Sequence, residues 1–200
     1  MDKLYEEIEK NNGDRIFTFG EIVHNPDVNE KLRKNNVFIC EDIDKIPSGS
    51  KVFIRTHGLP KEIVTKLKAS GLKIFDMTCP RVVRIHEIVS LYDSVIITGD
   101  KNHPEVDGIK GHCLNKCYIV KNVEELNNII SKIRTPTVMV SQTTFNTNTW
   151  NEMVEIAEKN PFITVKNTIC DATSIRQKQV EELARQSDFF VVIGGKNSSN

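Results

Sequence analysis

The amino-acid sequence predicts an α/β protein built from parallel sheets. Short runs of apolar, β-branched residues recur along the 200 residues and alternate with stretches that have helical spacing. Strands that alternate with helices form parallel sheets covered on both faces, and ligands bind at the carboxyl ends of such strands. Cysteine and histidine residues lie where several of these strands end. We therefore expect repeated βα units whose loops assemble one metal-centred site.

The strands are predicted from the apolar runs themselves. A short run over 36–41 contains Cys40, which is interpreted as a buried small apolar residue of that strand. The other predicted strands are residues 16–19, 52–54, 73–75, 95–97, 118–120, 138–140, 163–165 and 189–193.

Capping residues predict where helices begin. Asn122 is placed to cap a helix over 123–133, because an asparagine oxygen can accept from the first free backbone N–H groups. A helix over 173–186 is predicted with Thr173 as its N-cap. No low-complexity tract or Gly/Ser linker separates the predicted elements, so any domains should be connected directly.

Composition excludes several classes of protein. The 27 basic and 27 acidic side chains balance, and no basic run marks a surface for nucleic acid or an anionic membrane. No stretch is apolar enough for a membrane span or an export signal, which predicts a cytosolic protein. Five widely spaced cysteines then favour reduced thiols over a disulfide framework.

Two cysteines and three histidines mark the predicted site. Cys79 and Cys170 lie in polar segments between a strand and a helix, where their thiolates could bind iron. His24, His57 and His103 lie at comparable junctions. Imidazole N–H groups can bind a diphosphate without the positive charge of a lysine or arginine clamp.

The C-terminal residues have the composition of a phosphate-binding loop. The predicted strand over 189–193 leads into Gly, Ser and Asn residues, and Ser198, Ser199 and Asn200 could complete the diphosphate shell with hydroxyl and amide donors. A phosphate loop normally leads into a helix that covers the sheet. We therefore expect that further sequence belongs to this domain.

A set of motifs resembles one known family. Their order and their spread over nearly the whole chain match the LytB, or IspH, family of 4-hydroxy-3-methylbut-2-enyl diphosphate reductases. The motifs are Glu21-Ile22-Val23-His24-Asn25-Pro26, Arg55-Thr56-His57-Gly58, Asp76-Met77-Thr78-Cys79-Pro80, Gly99-Asp100-Lys101-Asn102-His103-Pro104-Glu105-Val106, Ser141-Gln142-Thr143-Thr144, Asn167-Thr168-Ile169-Cys170-Asp171-Ala172-Thr173 and Gly195-Lys196-Asn197-Ser198-Ser199-Asn200.

The resemblance implies a cloverleaf of three α/β domains around a [4Fe-4S] cluster. Here the domains would be residues 1–79, 80–168 and 169–200, the first and third of them truncated. The family holds its cluster with three cysteines, the first of them in an N-terminal Gly-Phe-Cys-Phe-Gly-Val type segment. Nothing similar precedes Ile16, so Cys79 and Cys170 would be two of three ligands. The chain by itself is then expected to bind the cluster poorly.

The resemblance also implies the reaction and its participants. The family carries out the last reductive step of the non-mevalonate isoprenoid pathway and yields isopentenyl and dimethylallyl diphosphate, with a ferredoxin or flavodoxin as electron donor. Loss of a hydroxyl as water requires two electrons and two protons, so an acid must lie near that hydroxyl. Glu105 is the predicted proton donor, and its partner is Thr143 or Thr144. Either hydroxyl could contact the substrate and relay the proton, and the resemblance favours Thr143, while Gln142 orients the loop.

Two other interpretations come from different classes of protein. A zinc site could form from His103, His112, Cys113 and Cys117, although their spacing matches no standard zinc motif. His112 and His86 otherwise read as structural residues. The chain could also be a phosphate-binding α/β module without catalytic activity, which would bind diphosphate without reducing it.

Overall fold

Two four-stranded parallel sheets form the core of the structure, a computed structural model that describes residues 2–10, 15–23 and 25–193. The described residues divide into two compact units between Cys79 and Pro80. Each unit contains one sheet with helices around it.

The first unit contains strands in the order β2-β1-β3-β4, all parallel. The central strands β1 and β3 consist almost wholly of buried apolar residues, as expected for a sheet with both faces covered. The elements are α1 (Asp2–Glu9), β1 (Ile16–Phe19), α2 (Pro26–Lys34), β2 (Val37–Ile39), a 3₁₀ turn (Ile43–Lys45), β3 (Lys51–Ile54), α3 (Lys61–Ala69) and β4 (Lys73–Asp76).

The second unit repeats this arrangement with the order β6-β5-β7-β8. Every residue of β5 and β7 is buried, and the helices α4, α5, α6 and α7 supply the apolar side chains that pack against them. The elements are α4 (Pro80–Val89), β5 (Ser94–Thr98), α5 (Pro104–Lys110), β6 (Lys116–Val120), α6 (Val123–Ile130), β7 (Thr137–Ser141), α7 (Thr147–Ala157), β8 (Ile163–Val165) and α8 (Asp171–Gln186).

The shared strand order determines where a ligand can bind in each unit. In each sheet the second strand lies on one side of the first strand, and the third strand lies on its other side. The connections after the two central strands, β1 and β3 or β5 and β7, therefore run in opposite directions. The carboxyl ends of strands at such a reversal leave a crevice between diverging loops. The predicted site residues His57, Glu105 and Thr143 follow these central strands.

The predicted α/β class with parallel sheets is confirmed, and the predicted strands up to residue 165 are present. The strand predicted over 189–193 is wrong. Those residues form no strand and are largely exposed, with Ile193 95% accessible. A strand is stable only when a neighbour pairs with its backbone, and no strand of the described part of the chain lies beside this segment.

Two predicted helix boundaries are also wrong. Thr173 is not an N-cap, because α8 begins two residues earlier with Cys170 at the cap position, and Thr173 is buried in its first turn. The helix capped by Asn122 ends at Ile130 instead of residue 133. Both helices are present, but local turns decided where they begin and end.

Other expectations have mixed outcomes. Cys40 follows β2 and is partly buried against the apolar cluster of the first unit, and its thiol donates to the Asp42 carbonyl at 3.3 Å. A third domain that begins at residue 169 stays a prediction, since the described residues of α8 group with the second unit. Among the described helices, none is long and apolar enough to cross a membrane.

Candidate active site

A tight turn after β3 presents His57. The Gly58 N–H donates to the Arg55 carbonyl at 3.1 Å, and Gly58 has φ +75°, a conformation that a glycine adopts without strain. The Thr56 hydroxyl donates to the Ile22 carbonyl at 3.4 Å, which links this turn to the segment after β1. His57 therefore lies at the carboxyl edge of the first sheet, where the connections diverge.

Cys79 lies beside the same turn. The Asp76 side chain at the end of β4 accepts from the Thr78 N–H at 2.9 Å and bends the chain. The Cys79 N–H then donates to the Thr56 carbonyl at 2.9 Å, and Pro80 starts α4. The Cys79 thiol is free and half-buried.

Two short hydrogen bonds in the second unit join Glu105 to Thr143. Oε1 of Glu105 accepts from the Thr143 N–H at 2.5 Å, and Oε2 accepts from the Thr143 hydroxyl at 2.7 Å. The carboxyl is only 2% exposed. Burial raises the pKa of Glu105 because a carboxylate loses its hydration there, and the hydrogen bonds from Thr143 oppose that rise. The environment therefore favours the protonated acid.

His103 caps the helix that carries Glu105. Its Nδ1 accepts from the Glu105 N–H at 3.2 Å, and Pro104 follows at the first helical position. A ring nitrogen that accepts a hydrogen bond has no proton, so the neutral ring has its proton on Nε2. The capping bond thus selects the tautomer whose Nε2–H can donate to an anion.

Gln142 fixes the loops on both sides of the Glu105–Thr143 pair. Its Oε1 accepts from the Asp100 N–H at 2.9 Å, and its Nε2 donates to the Thr144 hydroxyl at 3.0 Å. A Cβ on Gly99 would lie 2.6 Å from Gln142 Oε1, so the backbone passes closer to this side chain than any other residue would allow. The predicted orienting role of Gln142 agrees with these contacts.

The Cys170 loop is tied to the same turn. The Cys170 N–H donates to the Thr143 carbonyl at 2.9 Å, and Cys170 is the N-cap of α8. Two residues earlier, Thr168 Oγ1 accepts from the Ser141 N–H at 2.8 Å and donates to the Ser141 carbonyl at 2.6 Å. The Cys170 thiol is free and half-buried. The residue that the sequence interpretation overlooked here is Thr168, whose type and position gave no sign of this bond.

The two loop cysteines carry the donor type that binds iron–sulfur clusters. Half-buried, free cysteine thiols in loops next to helix starts are suitable ligands for iron. The zinc hypothesis is not supported, because no three His, Cys, Asp or Glu side chains come together as a metal-binding group within the described ranges. His112 instead stacks on His86, with ring centroids 3.9 Å apart, and Cys113 hydrogen-bonds with Cys117, which raises the pKa of Cys113.

His24, Ser198, Ser199 and Asn200 lie outside the described residues. Within the first unit the structure brings His57 and Cys79 to one edge of the sheet, and within the second it brings Glu105, Thr143, Thr144 and Cys170 together, with His103 at the helix start next to Glu105.

A buried carboxyl group with a raised pKa, held against a hydroxyl at the carboxyl ends of parallel strands, is suited to deliver a proton. Parallel sheets with a polar site at the ends of their strands define the class as an α/β enzyme. The model of the LytB protein family matches residues 1–200. The chain belongs to the LytB family, and the resemblance seen in the sequence is confirmed.

Curated relatives support the same assignment. The protein of Thermoanaerobacter sp. (strain X514), named 4-hydroxy-3-methylbut-2-enyl diphosphate reductase, is 40% identical over all of this chain and 71% of its own length. A protein of the same name from Clostridium perfringens (strain 13 / Type A) is 42% identical over 96% of this chain and 69% of its own length. The chain thus spans about 70% of these relatives.

Solved structures of such reductases share the fold. The E-1-hydroxy-2-methyl-but-2-enyl-4-diphosphate reductase from Plasmodium falciparum matches all of this chain and 64% of its own, with a TM-score of 0.89 and 29% identity. An (E)-4-hydroxy-3-methyl-but-2-enyl diphosphate reductase, described as the terminal enzyme of the non-mevalonate pathway, matches 98% of this chain and 72% of its own. Its TM-score is 0.77 and its identity 36%.

Proposed function

We propose that this chain is the catalytic part of a reductase that removes the hydroxyl group of 4-hydroxy-3-methylbut-2-enyl diphosphate. In that reaction the C–O bond breaks, two electrons and two protons are consumed, and the products are water and isopentenyl or dimethylallyl diphosphate. The observation that carries the proposal is the buried Glu105 carboxyl, which is held against the Thr143 hydroxyl by a 2.7 Å hydrogen bond.

Glu105 and Thr143 supply the proton that converts the leaving hydroxyl into water. Burial keeps the Glu105 carboxyl protonated to a higher pH than an exposed carboxyl. When it is protonated, Oε2 can donate to the Thr143 hydroxyl, whose own proton is then free to point toward the substrate oxygen. The Thr143 amide holds the other carboxyl oxygen, so the acid stays aligned throughout the transfer.

Imidazole and hydroxyl donors bind the diphosphate. His103 is held in the tautomer with its proton on Nε2, and the turn after β3 presents His57. The Thr144 hydroxyl accepts from Gln142, which leaves its own proton available for an anionic oxygen. His24, Ser198, Ser199 and Asn200 would complete the shell through the same types of donor.

Cys79 and Cys170 are the proposed ligands of a [4Fe-4S] cluster. When bound, the cluster supplies the electrons and a Lewis-acidic iron that weakens the C–O bond. Hydrogen bonds from both cysteine N–H groups to neighbouring carbonyls fix the loops that present the thiols, which reduces the reorganisation needed on binding. A ferredoxin or flavodoxin would deliver the electrons.

Replacement of Glu105 tests the proposal. Glu105→Gln keeps the size of the side chain and removes the acid. In a cluster-loaded enzyme that also supplies the third cluster cysteine, turnover should therefore fall about 10²- to 10⁴-fold, the usual contribution of general acid catalysis. Iron and sulfide per chain should be unchanged. Glu124→Gln is the matched control, because it removes an exposed carboxyl from the first turn of α6 in the same unit.

Three results would contradict separate parts of the proposal. Undiminished turnover in Glu105→Gln would remove Glu105 as proton donor. A full cluster in the Cys170→Ser variant would remove Cys170 as a ligand. Wild-type protein that binds its cluster and the diphosphate but does not turn over would leave only a binding function.

A further inference from the structure

The Thr168 side chain continues the pairing of β7 after the strand beside it has ended. Just after β8, the Lys166 N–H donates to the Met139 carbonyl of β7 at 2.9 Å. Beyond it, Thr168 Oγ1 takes the place of a backbone partner. It accepts from the Ser141 N–H at 2.8 Å and donates to the Ser141 carbonyl at 2.6 Å.

The residues around Thr168 hold the loop in one conformation. The Asn167 side chain accepts from the Ile169 N–H at 3.1 Å, and Ile169 is buried in the main apolar cluster of the second unit. The Cys170 N–H then donates to the Thr143 carbonyl at 2.9 Å. Thus the segment from Thr168 to Cys170 runs alongside the segment from Ser141 to Thr143, bonded at both ends.

Thr143 is consequently held from two sides. Its amide and hydroxyl donate to Glu105, and its carbonyl accepts from Cys170. Any displacement of the loop that moves the Cys170 amide would pull on the same turn that aligns the proposed acid.

We infer that Thr168 is a positioning residue: its hydroxyl holds the Cys170 loop against the Thr143 turn, so that the thiol and the acid pair keep a fixed relation. The effect on turnover rests on the proposed function, whereas the effect on the loop does not. Thr168 acts only through its neighbours and contacts neither substrate nor the reacting atoms.

The two hydrogen bonds between the Thr168 side chain and the Ser141 backbone require a hydroxyl group. One oxygen must both accept from an N–H and donate to a carbonyl, which a valine of the same shape cannot do and a serine can. Ser141 is fully buried at the end of β7, so Thr168→Val would leave a buried N–H and a buried carbonyl without this partner. Loss of one such hydrogen bond raises the equilibrium constant for local opening about tenfold, which corresponds to about 1.4 kcal/mol.

Amide hydrogen exchange measures the effect on the loop directly. In Thr168→Val we expect the Ser141 and Cys170 amides to exchange about tenfold faster than in the wild type, relative to global unfolding. Thr168→Ser should stay within about twofold. Thr137→Val is the matched control, because it removes a buried hydroxyl that donates to the Thr135 carbonyl at the opposite end of β7.

Turnover, measured in a cluster-loaded enzyme that also supplies the third cluster cysteine, is the second measurement. Thr168→Val should lower kcat about tenfold with KM changed less than twofold, since the diphosphate donors are untouched, and Thr168→Ser should restore kcat. The Ser141 and Cys170 amides could exchange faster in Thr168→Val while no protein, the wild type included, turns over. That result would contradict the proposed function and leave the effect of Thr168 on the loop intact. Faster exchange with undiminished kcat would overturn the positioning role.

Further outcomes would also overturn the inference. These are an unchanged Cys170 amide in Thr168→Val, an equal loss of kcat in Thr137→Val, or a failure of Thr168→Ser to restore it. If Thr168→Val does not fold, the wild type still provides a test. In mild urea, hydrogen exchange of the wild-type Ser141 and Cys170 amides should give the same free energy of local opening. Two unrelated free energies would contradict the inference that the two segments open as one unit.

Discussion

The pH dependence of stability should reveal the buried Glu105 carboxyl. Burial raises its pKa in the folded chain, while the unfolded chain has the ordinary value of about 4.3. Between these two values the folded state holds a proton that the unfolded state has released. The stability from Glu105 is therefore full below about pH 4.3 and is lost as the pH rises through the folded pKa.

The size of this pH effect follows from the single proton that the Glu105 carboxyl binds or releases. Within that window the free energy of unfolding should fall by about 1.4 kcal/mol for each pH unit because of Glu105 alone. Glu105→Gln removes the titration and keeps both contacts, since the amide oxygen can accept from the Thr143 N–H and the amide nitrogen can donate to the Thr143 hydroxyl. The variant should therefore gain stability relative to the wild type as the pH rises.

The single tryptophan provides the assay. Trp150 is 2% exposed in the core of the second unit, so its fluorescence reports the unfolding of the unit that contains Glu105. Urea unfolding would be followed from pH 4.5 to pH 8 for the wild type, for Glu105→Gln and for the exposed control Glu124→Gln. A difference between Glu105→Gln and the wild type that stays constant across this range would refute the reasoning.

Two further substitutions test local packing and capping with the same fluorescence assay. Gly99→Ala should destabilise the second unit by about 1–3 kcal/mol, because the new Cβ would lie 2.6 Å from Gln142 Oε1; an unchanged urea midpoint would contradict this close approach. Asn122→Ala should cost about 1 kcal/mol, because the Asn122 oxygen accepts from the Glu125 N–H at 2.9 Å. Asn127→Ala, on an exposed position of the same helix, should instead be neutral or slightly stabilising, and equal losses in both variants would exclude a capping effect.

Hydrophobic patterning was enough to predict most of the fold. Strands such as β5 and β7 are continuous apolar runs, and only a sheet covered on both faces buries every residue of such a run. The segment over 189–193 has the same composition and forms no strand. Composition indicates how much free energy a segment gains when it is buried. Whether the segment forms a strand depends on whether another strand lies beside it and pairs with its backbone.

The sequence by itself determined the α/β class, the family and which residue types stand at the ends of the strands. These follow from local properties: apolar periodicity, and motifs in a recognisable order. Only the tertiary structure decided which side chains and backbone groups contact each other. It showed that Glu105 is buried against Thr143, that His103 caps the helix of Glu105 and that the Thr168 hydroxyl binds the Ser141 backbone. The contacts of Glu105 with Thr143 and of Thr168 with Ser141 join residues far apart in sequence. A hydrogen bond depends on distance and direction in space, which no local pattern records.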